Sequence, residues 1–212
     1  VSRGLGDVYK RQGGIGVGNN IFSSNTYFQK FIPGKTFSIS FIASDSDPVI
    51  LGFNQLFIVE NSTKYPFLHA GAMIIDFEQP YRGYMLDWIK VISKYYSLTG
   101  YISIDFKIFS NNLEILDINP RLSGSYRLYT RKYKNLMFNH MKPGDVLDIK
   151  SNDYFSYIIL YAKNDLVVDK WISSIKDVSD TPNIGQVIKK DMPIMTLNIR
   201  ANNCLLYTSP SP

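Results

Sequence analysis

The stretch Tyr101–Ser125 constrains the fold more than any other part of the chain, because its pattern predicts a β-hairpin that ends in a proline loop. Two strands are predicted at Tyr101–Phe109 and Leu113–Asn119, joined through Asn111-Asn112, and apolar and polar residues alternate along the first and from Leu116 to Asn119 in the second. A period of two gives each strand one apolar face and one polar face. The polar positions that carry potential ligands are Asp105, Asp117 and Asn119.

The length of the hairpin loop decides whether these polar side chains converge. A two-residue turn at Asn111-Asn112 would place Asp105 opposite Ile118 and turn the two aspartates to opposite faces. A loop of three or five residues would place Asp105 and Asp117 on one face with Asn119, and asparagine tolerates the left-handed backbone of such loops. Two carboxylates and an amide oxygen on one face favour a hard cation such as Mg²⁺, and the alternative is an ordinary solvated face.

The segment LDINPRLSGS at 116–125 resembles the metal-binding signature of the ATP-grasp superfamily, in which an acidic residue precedes Asn-Pro-Arg at the end of a strand. In that family an acidic strand lies about a dozen residues upstream, as Asp105 does here. The resemblance implies that Asp105 and Asp117 bind Mg²⁺, with Mn²⁺ as the alternative ion, and that Asn119 binds metal or phosphate. It also implies that Arg121 contacts the phosphates or the developing acyl phosphate, as the catalytic residue.

Two segments near the start resemble the nucleotide-binding parts of the same family. The sequence GGIGVG resembles the flexible loop over the β- and γ-phosphates, which implies phosphate contacts for Gly13, Gly14 and Gly16. The sequence YFQKFIPG at 27–34 resembles the strand that holds adenine. The matching positions there are Gln29, Lys30 and Ile32.

The overall pattern predicts an α+β protein, and the resemblance implies an ATP-grasp fold fragment of antiparallel sheets with packed helices. Strands are predicted at Thr36–Ala43 and Val49–Val59, and the first of them alternates as a half-buried strand would. We assign residues 13–145 to a nucleotide- and metal-binding region that lacks its N-terminal part. Residues 146–203 resemble the small β-rich C-terminal extension of biotin-carboxylase-related ligases.

Helices are predicted at Tyr81–Ser97 and at about 126–140. In the first, Met85, Trp88, Ile89, Ile92 and Tyr96 recur at spacings of three and four, and we interpret this stripe as core. The aromatic and basic residues of 126–132 are interpreted as a solvated face rather than a nucleic-acid site. His140 is expected to pack or to be exposed, and His69 lies in a segment that can face the active site.

The two ends of the chain do not have the character of native protein. Ser2–Gln12 can be encoded by DNA whose reverse complement, in another frame, encodes Cys204–Pro212. We therefore interpret residues 1–12 and 204–212 as translated sequencing adapter around a metagenomic fragment. Removing them lowers the net charge from +5 to +3 and removes the single cysteine, which excludes disulfides and thiolate metal sites from residues 13–203.

The resemblance implies an enzyme that uses ATP and Mg²⁺ to join a small-molecule carboxylate to a nucleophilic acceptor, often an amine, through an acyl phosphate. The fragment itself is expected to be inactive, because the strand with the family's phosphate-binding lysine should precede Gly13. The alternative is a nucleotide-binding or interaction module that does not catalyse. We expect a cytoplasmic protein that binds neither nucleic acid nor membrane, since it has no basic run and no long apolar run. The substrate and the oligomeric state cannot be read from the sequence.

Overall fold

The computed structural model of the protein describes residues 31–59, 67–77, 81–143 and 147–202. The described strands are β1 (Thr36–Ala43), β2 (Val49–Val59), β3 (Leu68–Ile75), β4 (Gly100–Phe109), β5 (Asn112–Asn119), β6 (Tyr154–Tyr161), β7 (Leu166–Val167), β8 (Val178–Ser179), β9 (Val187–Ile188) and β10 (Pro193–Ala201). The described helices are α1 (Tyr81–Tyr95), α2 (Tyr126–Lys132) and α3 (Leu136–Met141), together with a 3₁₀ helix at Lys170–Ser174.

Eight of these strands form one sheet in the order β5-β4-β1-β2-β3-β6-β10-β8, and its neighbours pair antiparallel. Strands β7 and β9 form a separate two-stranded ribbon. The predicted strands at 36–43 and 49–59 are confirmed as neighbours in this sheet. An antiparallel sheet with helices packed on it is the α+β architecture predicted from the sequence, and that prediction is confirmed.

Helix α1 covers one face of the sheet. Met85 and Ile89 are fully buried against a layer of strand side chains that includes Phe41, Ile104 and Phe106. Burial of such side chains stabilises the fold by roughly 1.5–3 kcal/mol each, so this layer is one of the main contributions to the stability of the sheet.

The outer side of α1 differs from the sequence prediction. Trp88 is 38% exposed and Tyr96 is 61% exposed, so the interpretation of both as core is wrong. The helix ends at Tyr95, and the Leu98 amide then donates to the Ser93 carbonyl at 2.9 Å. Ser97 takes a left-handed conformation (φ 47°) in this arrangement, which is a common way to end a helix.

The opposite face of the sheet is covered at one end by α2 and α3. Leu128 and Leu136 of these helices pack on Tyr101 of β4, and Tyr129 is fully buried beside them, so the interpretation of 126–132 as a solvated face is wrong. The prediction of one helix over 126–140 is also wrong, because Tyr133 is extended (φ −119°, ψ 142°) and forms a bridge with Ile149.

Strand β1 lies in the middle of this half of the sheet and is buried on both faces. Ser38 and Ser40 are 1% and 0% exposed, so the half-buried strand predicted from the alternation is wrong. The serines alternate with buried apolar residues and therefore form a polar strip inside the protein, which continues toward Asp105 of β4.

Strand β3 was not predicted, because its small residues have low β-propensity. Its Gly71 lies so close to β6 that a Cβ there would be 2.1 Å from the Tyr157 carbonyl oxygen. Through this contact β6 and β10 join the same sheet as the first five strands, while a third apolar cluster around Val168 and Ile172 lies within the C-terminal segment.

The division of the chain into regions at 13–145 and 146–203 stays a prediction. Within the described ranges, no helix has the length and apolar character to cross a bilayer.

Candidate functional site

The β4–β5 hairpin places Asp105 directly opposite Asp117. Its turn consists of two residues, Ser110 and Asn111, both left-handed with φ of 50° and 62°. Of the loop lengths that the sequence left open, the structure has the two-residue turn, placed one residue earlier than Asn111-Asn112. The aspartates nevertheless share a face, because Leu116 is a bulged residue that has no partner on β4 and shifts the register by one.

Asp105 is the more buried of the two aspartates, whereas Asp117 is exposed. Burial raises the pKa of Asp105 to about 6, and the negative charge of Asp117 adds to this shift. Ser38, Asn119 and Arg121 act in the opposite direction. The Ser38 hydroxyl is close enough to lower the pKa, although its oxygen makes no hydrogen bond of normal geometry. The carboxylate therefore lacks full compensation for its charge.

Asn119 links Asp105 to Arg121. Its side-chain nitrogen donates to Asp105 Oδ2 at 3.3 Å, and its side-chain oxygen accepts from the Arg121 guanidinium at 3.1 Å. Arg121 is otherwise exposed and makes a longer contact of 3.4 Å to the Leu122 carbonyl. The structure thus brings Asp105, Asp117, Asn119 and Arg121 together at one end of one sheet face.

The donor set of this face fits a hard divalent cation. Two opposed carboxylates supply anionic oxygens, and the hydroxyls of Ser38 and Ser103 are buried beside them without a hydrogen-bond partner. No group of three or more His, Cys, Asp or Glu side chains suited to a metal occurs within the part of the chain that the structure describes. The set therefore suits Mg²⁺ better than an ion that is coordinated by protein ligands alone. Mg²⁺ commonly retains several water ligands and is coordinated by phosphate oxygens as well as by one or two carboxylates.

A buried hydroxyl cluster fixes the loop that follows Asn119. The Tyr101 hydroxyl lies 2.9 Å from Ser40 Oγ, 3.2 Å from Ser125 Oγ and 3.3 Å from Ser123 Oγ. Ser123 and Ser125 also contact each other at 2.9 Å. Because a buried hydroxyl is costly without partners, this arrangement holds residues 121–125 on the sheet.

The hydroxyl cluster also includes the side chain of Asn54 on β2. Its side-chain nitrogen donates to Ser40 Oγ at 3.3 Å, and its oxygen accepts from the Tyr129 hydroxyl at 2.9 Å. Sequence reasoning missed Asn54, Tyr101 and the serines as parts of the site. A polar residue at the centre of each of two apolar strands was the available signal.

His69 lies next to the same loop. Its Nε2 is 2.9 Å from the Tyr157 hydroxyl, and a Cβ at Gly124 would be 2.7 Å from that hydroxyl and 3.8 Å from Nε2. Burial lowers the pKa of His69 to about 4, and the positive charge of Arg127 acts in the same direction. His69 is therefore neutral near pH 7, and together with Tyr157 it lies beside the loop at Gly124. His140 packs as expected, with Nδ1 accepting from the Tyr101 amide at 3.0 Å.

Of the predicted nucleotide contacts, Ile32 is the one that the structure describes. Its carbonyl accepts a hydrogen bond from Lys107 Nζ at 2.6 Å, and the same ammonium lies 5.3 Å from the Phe31 ring centre. Lys107 follows Asp105 by two residues and so shares its face of β4. Gly13, Gly14, Gly16, Gln29 and Lys30 lie outside the described residues.

Comparison with known proteins identifies a family and a fold. The family model described as "ATP-grasp domain" matches residues 9–125, more than half of the chain. An uncharacterized protein of Methanocaldococcus jannaschii is 28% identical over 178 residues, which cover 82% of this chain and 42% of that protein. The chain thus spans less than half the length of this curated relative.

Solved structures of ligase-type enzymes share the fold. An L-amino acid ligase from Bacillus licheniformis superposes with a TM-score of 0.63 at 11% identity, over 82% of this chain and 48% of that one. A second structure is the biotin carboxylase domain of the Hydrogenobacter thermophilus 2-oxoglutarate carboxylase, solved with MgADP and bicarbonate. It superposes with a TM-score of 0.60 at 12% identity, over 80% of this chain and 42% of that one. At these identities the likeness shows the fold, and the predicted fold is confirmed.

Proposed function

The chain belongs to the ATP-grasp family, and we propose that it is the metal- and phosphate-binding part of an ATP-dependent carboxylate ligase. The observation that carries this proposal is the placement of Asp105 opposite Asp117, next to the Asn119–Arg121 contact. The relatives are longer than this chain, so the complete reaction is proposed for the parent protein rather than for this segment.

Asp105 and Asp117 are the residues that would hold Mg²⁺ or Mn²⁺ in this proposal. The bound ion would neutralise charge on the phosphate oxygens of ATP. Asn119 can turn its amide oxygen toward the ion or its nitrogen toward a phosphate. Arg121 is exposed on one side and held by Asn119 on the other, so its remaining N–H groups are free to contact phosphate or an acyl phosphate.

The proposed reaction has two steps. A substrate carboxylate oxygen bonds to the γ-phosphorus while the bond to the bridging oxygen breaks, which gives an acyl phosphate and ADP. A nucleophile, often an amine, then bonds to the acyl carbon and phosphate leaves. The part played by this chain is positioning and charge stabilisation, because the sheet carries the two carboxylates and Asn119 holds Arg121 beside them.

The nucleotide itself would extend from this hairpin toward the segment around Ile32. Gly13, Gly14 and Gly16 would approach the β- and γ-phosphates with backbone N–H groups, and Gln29, Lys30 and Ile32 would contact adenine. The Ile32 carbonyl already accepts from Lys107, and a carbonyl oxygen retains a second lone pair for the base.

Thermal unfolding of the 212-residue chain tests the proposal. Mg²⁺ with ATP should raise the unfolding temperature more than ATP with EDTA or Mg²⁺ alone, because a ligand that binds the folded state stabilises it. Asp117→Asn should remove the Mg²⁺-dependent part without lowering the unfolding temperature of the free protein, since Asp117 is exposed. Asp45→Asn, an exposed substitution in the turn between β1 and β2, is the matched control and should leave the response unchanged.

An equal Mg²⁺-dependent response in the wild type and Asp117→Asn would contradict the metal assignment. Nucleotide protection alone does not separate a ligase from a binding module that does not catalyse. Carboxylate-dependent release of ADP by the complete parent protein separates the two, because the module would not convert ATP.

A further inference from the structure

Helix α1 carries a second apolar stripe on the side away from the sheet. Tyr84, Trp88, Val91 and Tyr95 are 64%, 38%, 67% and 78% exposed. Their spacing of four, three and four residues places them in one row along the helix, and it is the spacing of the seam between two paired helices. The inward side of α1 is formed by other residues, Met85 and Ile89, so the core does not account for this row.

This row of three exposed aromatic or β-branched side chains beside a half-exposed tryptophan lies outside the core cluster on which α1 packs. Contiguous exposed apolar surface of this kind marks an interaction site more often than chance exposure does. Aromatic side chains are also enriched at protein interfaces because they supply large contact areas. The outer stripe of α1, defined as Tyr84, Trp88, Val91 and Tyr95, is therefore a docking surface.

Charges beside the stripe indicate which partner fits it. Asp87 and Lys94 are exposed, lie on the same flank of the stripe, and form no ion pair among the described residues. The two residues are seven positions apart: Asp87 lies about one turn after Tyr84, and Lys94 directly precedes Tyr95, so the opposite charges flank the two halves of the stripe. A partner helix that presents the reversed order of charges would satisfy both.

A second copy of α1 presents that order when it runs antiparallel. Tyr84 then faces Tyr95 of the other copy, and Trp88 faces Val91, so the stripe is complementary to itself about a two-fold axis near its middle. The same alignment brings Asp87 of each copy beside Lys94 of the other. We propose that the outer stripe of α1 is the interface of a homodimer with antiparallel α1 helices.

The dimer should be weak and dependent on concentration. One pair of four-turn helices buries less surface than the roughly 1,200–2,000 Å² of a stable interface. We expect a dissociation constant on the order of 100 µM, which corresponds to partial dimer at ordinary laboratory concentrations. The interface lies on the α1 side of the sheet, opposite the face that carries Asp105 and Asp117, so it does not depend on the nucleotide proposal.

Sedimentation velocity of the full chain between about 5 µM and 1 mM tests this inference. The wild type should shift from monomer to dimer over this range. Asp87→Lys and Lys94→Asp should each weaken the dimer at least tenfold, because each places two like-charged pairs at the interface. An equimolar mixture of these two variants should restore association, since every pair is then Lys against Asp, and the double variant should restore it alone.

Two further variants separate the interface from general effects. Tyr95→Ser should abolish association while the unfolding temperature stays unchanged, because Tyr95 is the most exposed residue of the stripe. Arg82→Glu, an exposed charge reversal away from the stripe, should leave association unchanged. A wild type that stays monomeric up to 1 mM would overturn the proposal. So would a dimer that resists both charge reversals, or single variants that do not recover on mixing.

Discussion

Asp105 and Asp117 lie opposite one another although the hairpin that joins their strands has only a two-residue turn between Phe109 and Asn112. In a regular hairpin with this turn, Asp105 would face Leu116 and Asp117 would point to the apolar side. The bulge at Leu116 absorbs the extra residue, so the bulge and not the turn sets the geometry of the proposed metal site.

Deletion of Leu116 should preserve the site. Asp117 would then follow Ile115 and stand opposite Asp105 in a regular ladder, with Asn119 still opposite Ser103. We expect the Mg²⁺-dependent ATP response of the chain to be retained in a thermal unfolding assay. Deletion of Ile118 is the matched control, because it turns Asn119 toward the apolar face and should eliminate the response. Loss of the response in both deletions would show that the bulge has a role of its own.

Asp105 and His69 should give opposite pH dependences of stability. The folded-state pKa of Asp105 is raised from 3.8 to about 6, so the folded protein binds more protons than the unfolded chain and stability falls as pH rises from about 4 to 6. The folded-state pKa of His69 is lowered from 6.5 to about 4, so the unfolded chain binds more protons and stability rises over nearly the same window.

Urea unfolding of two variants between pH 4 and 7, with EDTA present, separates these contributions. In Asp105→Asn only the pH dependence caused by His69 should remain, so the free energy of unfolding should rise by about 1–3 kcal/mol toward pH 7. His69→Gln keeps a polar group beside the Tyr157 hydroxyl, and only the dependence caused by Asp105 should remain, so the free energy of unfolding should fall as the pH rises. Variants that both follow the wild-type profile would contradict the environments assigned to these two groups.

Gly71→Ala should be among the most damaging single substitutions in the chain. The new Cβ would meet the Tyr157 carbonyl at 2.1 Å, and the φ of 143° disfavours any L-residue, so we expect a loss of at least about 3 kcal/mol in the free energy of unfolding. Gly83→Ala on α1 is the control, since no atom lies within 4 Å of the new Cβ. It should stabilise the helix by up to about 1 kcal/mol, and similar effects of the two changes in calorimetry would refute the β3–β6 packing.

Tyr101→Phe should destabilise the chain by about 1–3 kcal/mol in chemical denaturation. The substitution removes the hydroxyl that contacts Ser40, Ser123 and Ser125, and these buried groups keep fewer partners. Tyr84→Phe is the control, because Tyr84 is 64% exposed and should change stability by no more than a few tenths of a kcal/mol. Equal stability of Tyr101→Phe and the wild type would argue against a fixed loop at 121–125.

The sequence was sufficient to predict the strands with strong alternation, because these depend on local periodicity. It left open whether the two aspartates share a face, since that depends on the turn and the register of the hairpin. The bulge was not predicted, although Ile115 and Leu116 are consecutive apolar residues that break the alternation of this strand. Tyr101 and Asn54 were missed for a different reason: their role depends on contacts between residues up to 75 positions apart. Trp88 was misassigned because helical periodicity does not show which of two apolar sides faces the sheet.

The salt bridge between Arg127 and Asp180, 2.9 Å long, connects α2 to the C-terminal strands. Arg127 also stacks over Tyr157, 5.0 Å from the ring centre, and belongs to the helix that begins just after the serine loop. Asp180 follows β8 and accepts from Thr196 of β10 at 2.7 Å. The helix that follows the serine loop is therefore tied to strands at the far edge of the sheet, so the position of this loop depends on the last strands of the chain as well as on the β4–β5 hairpin.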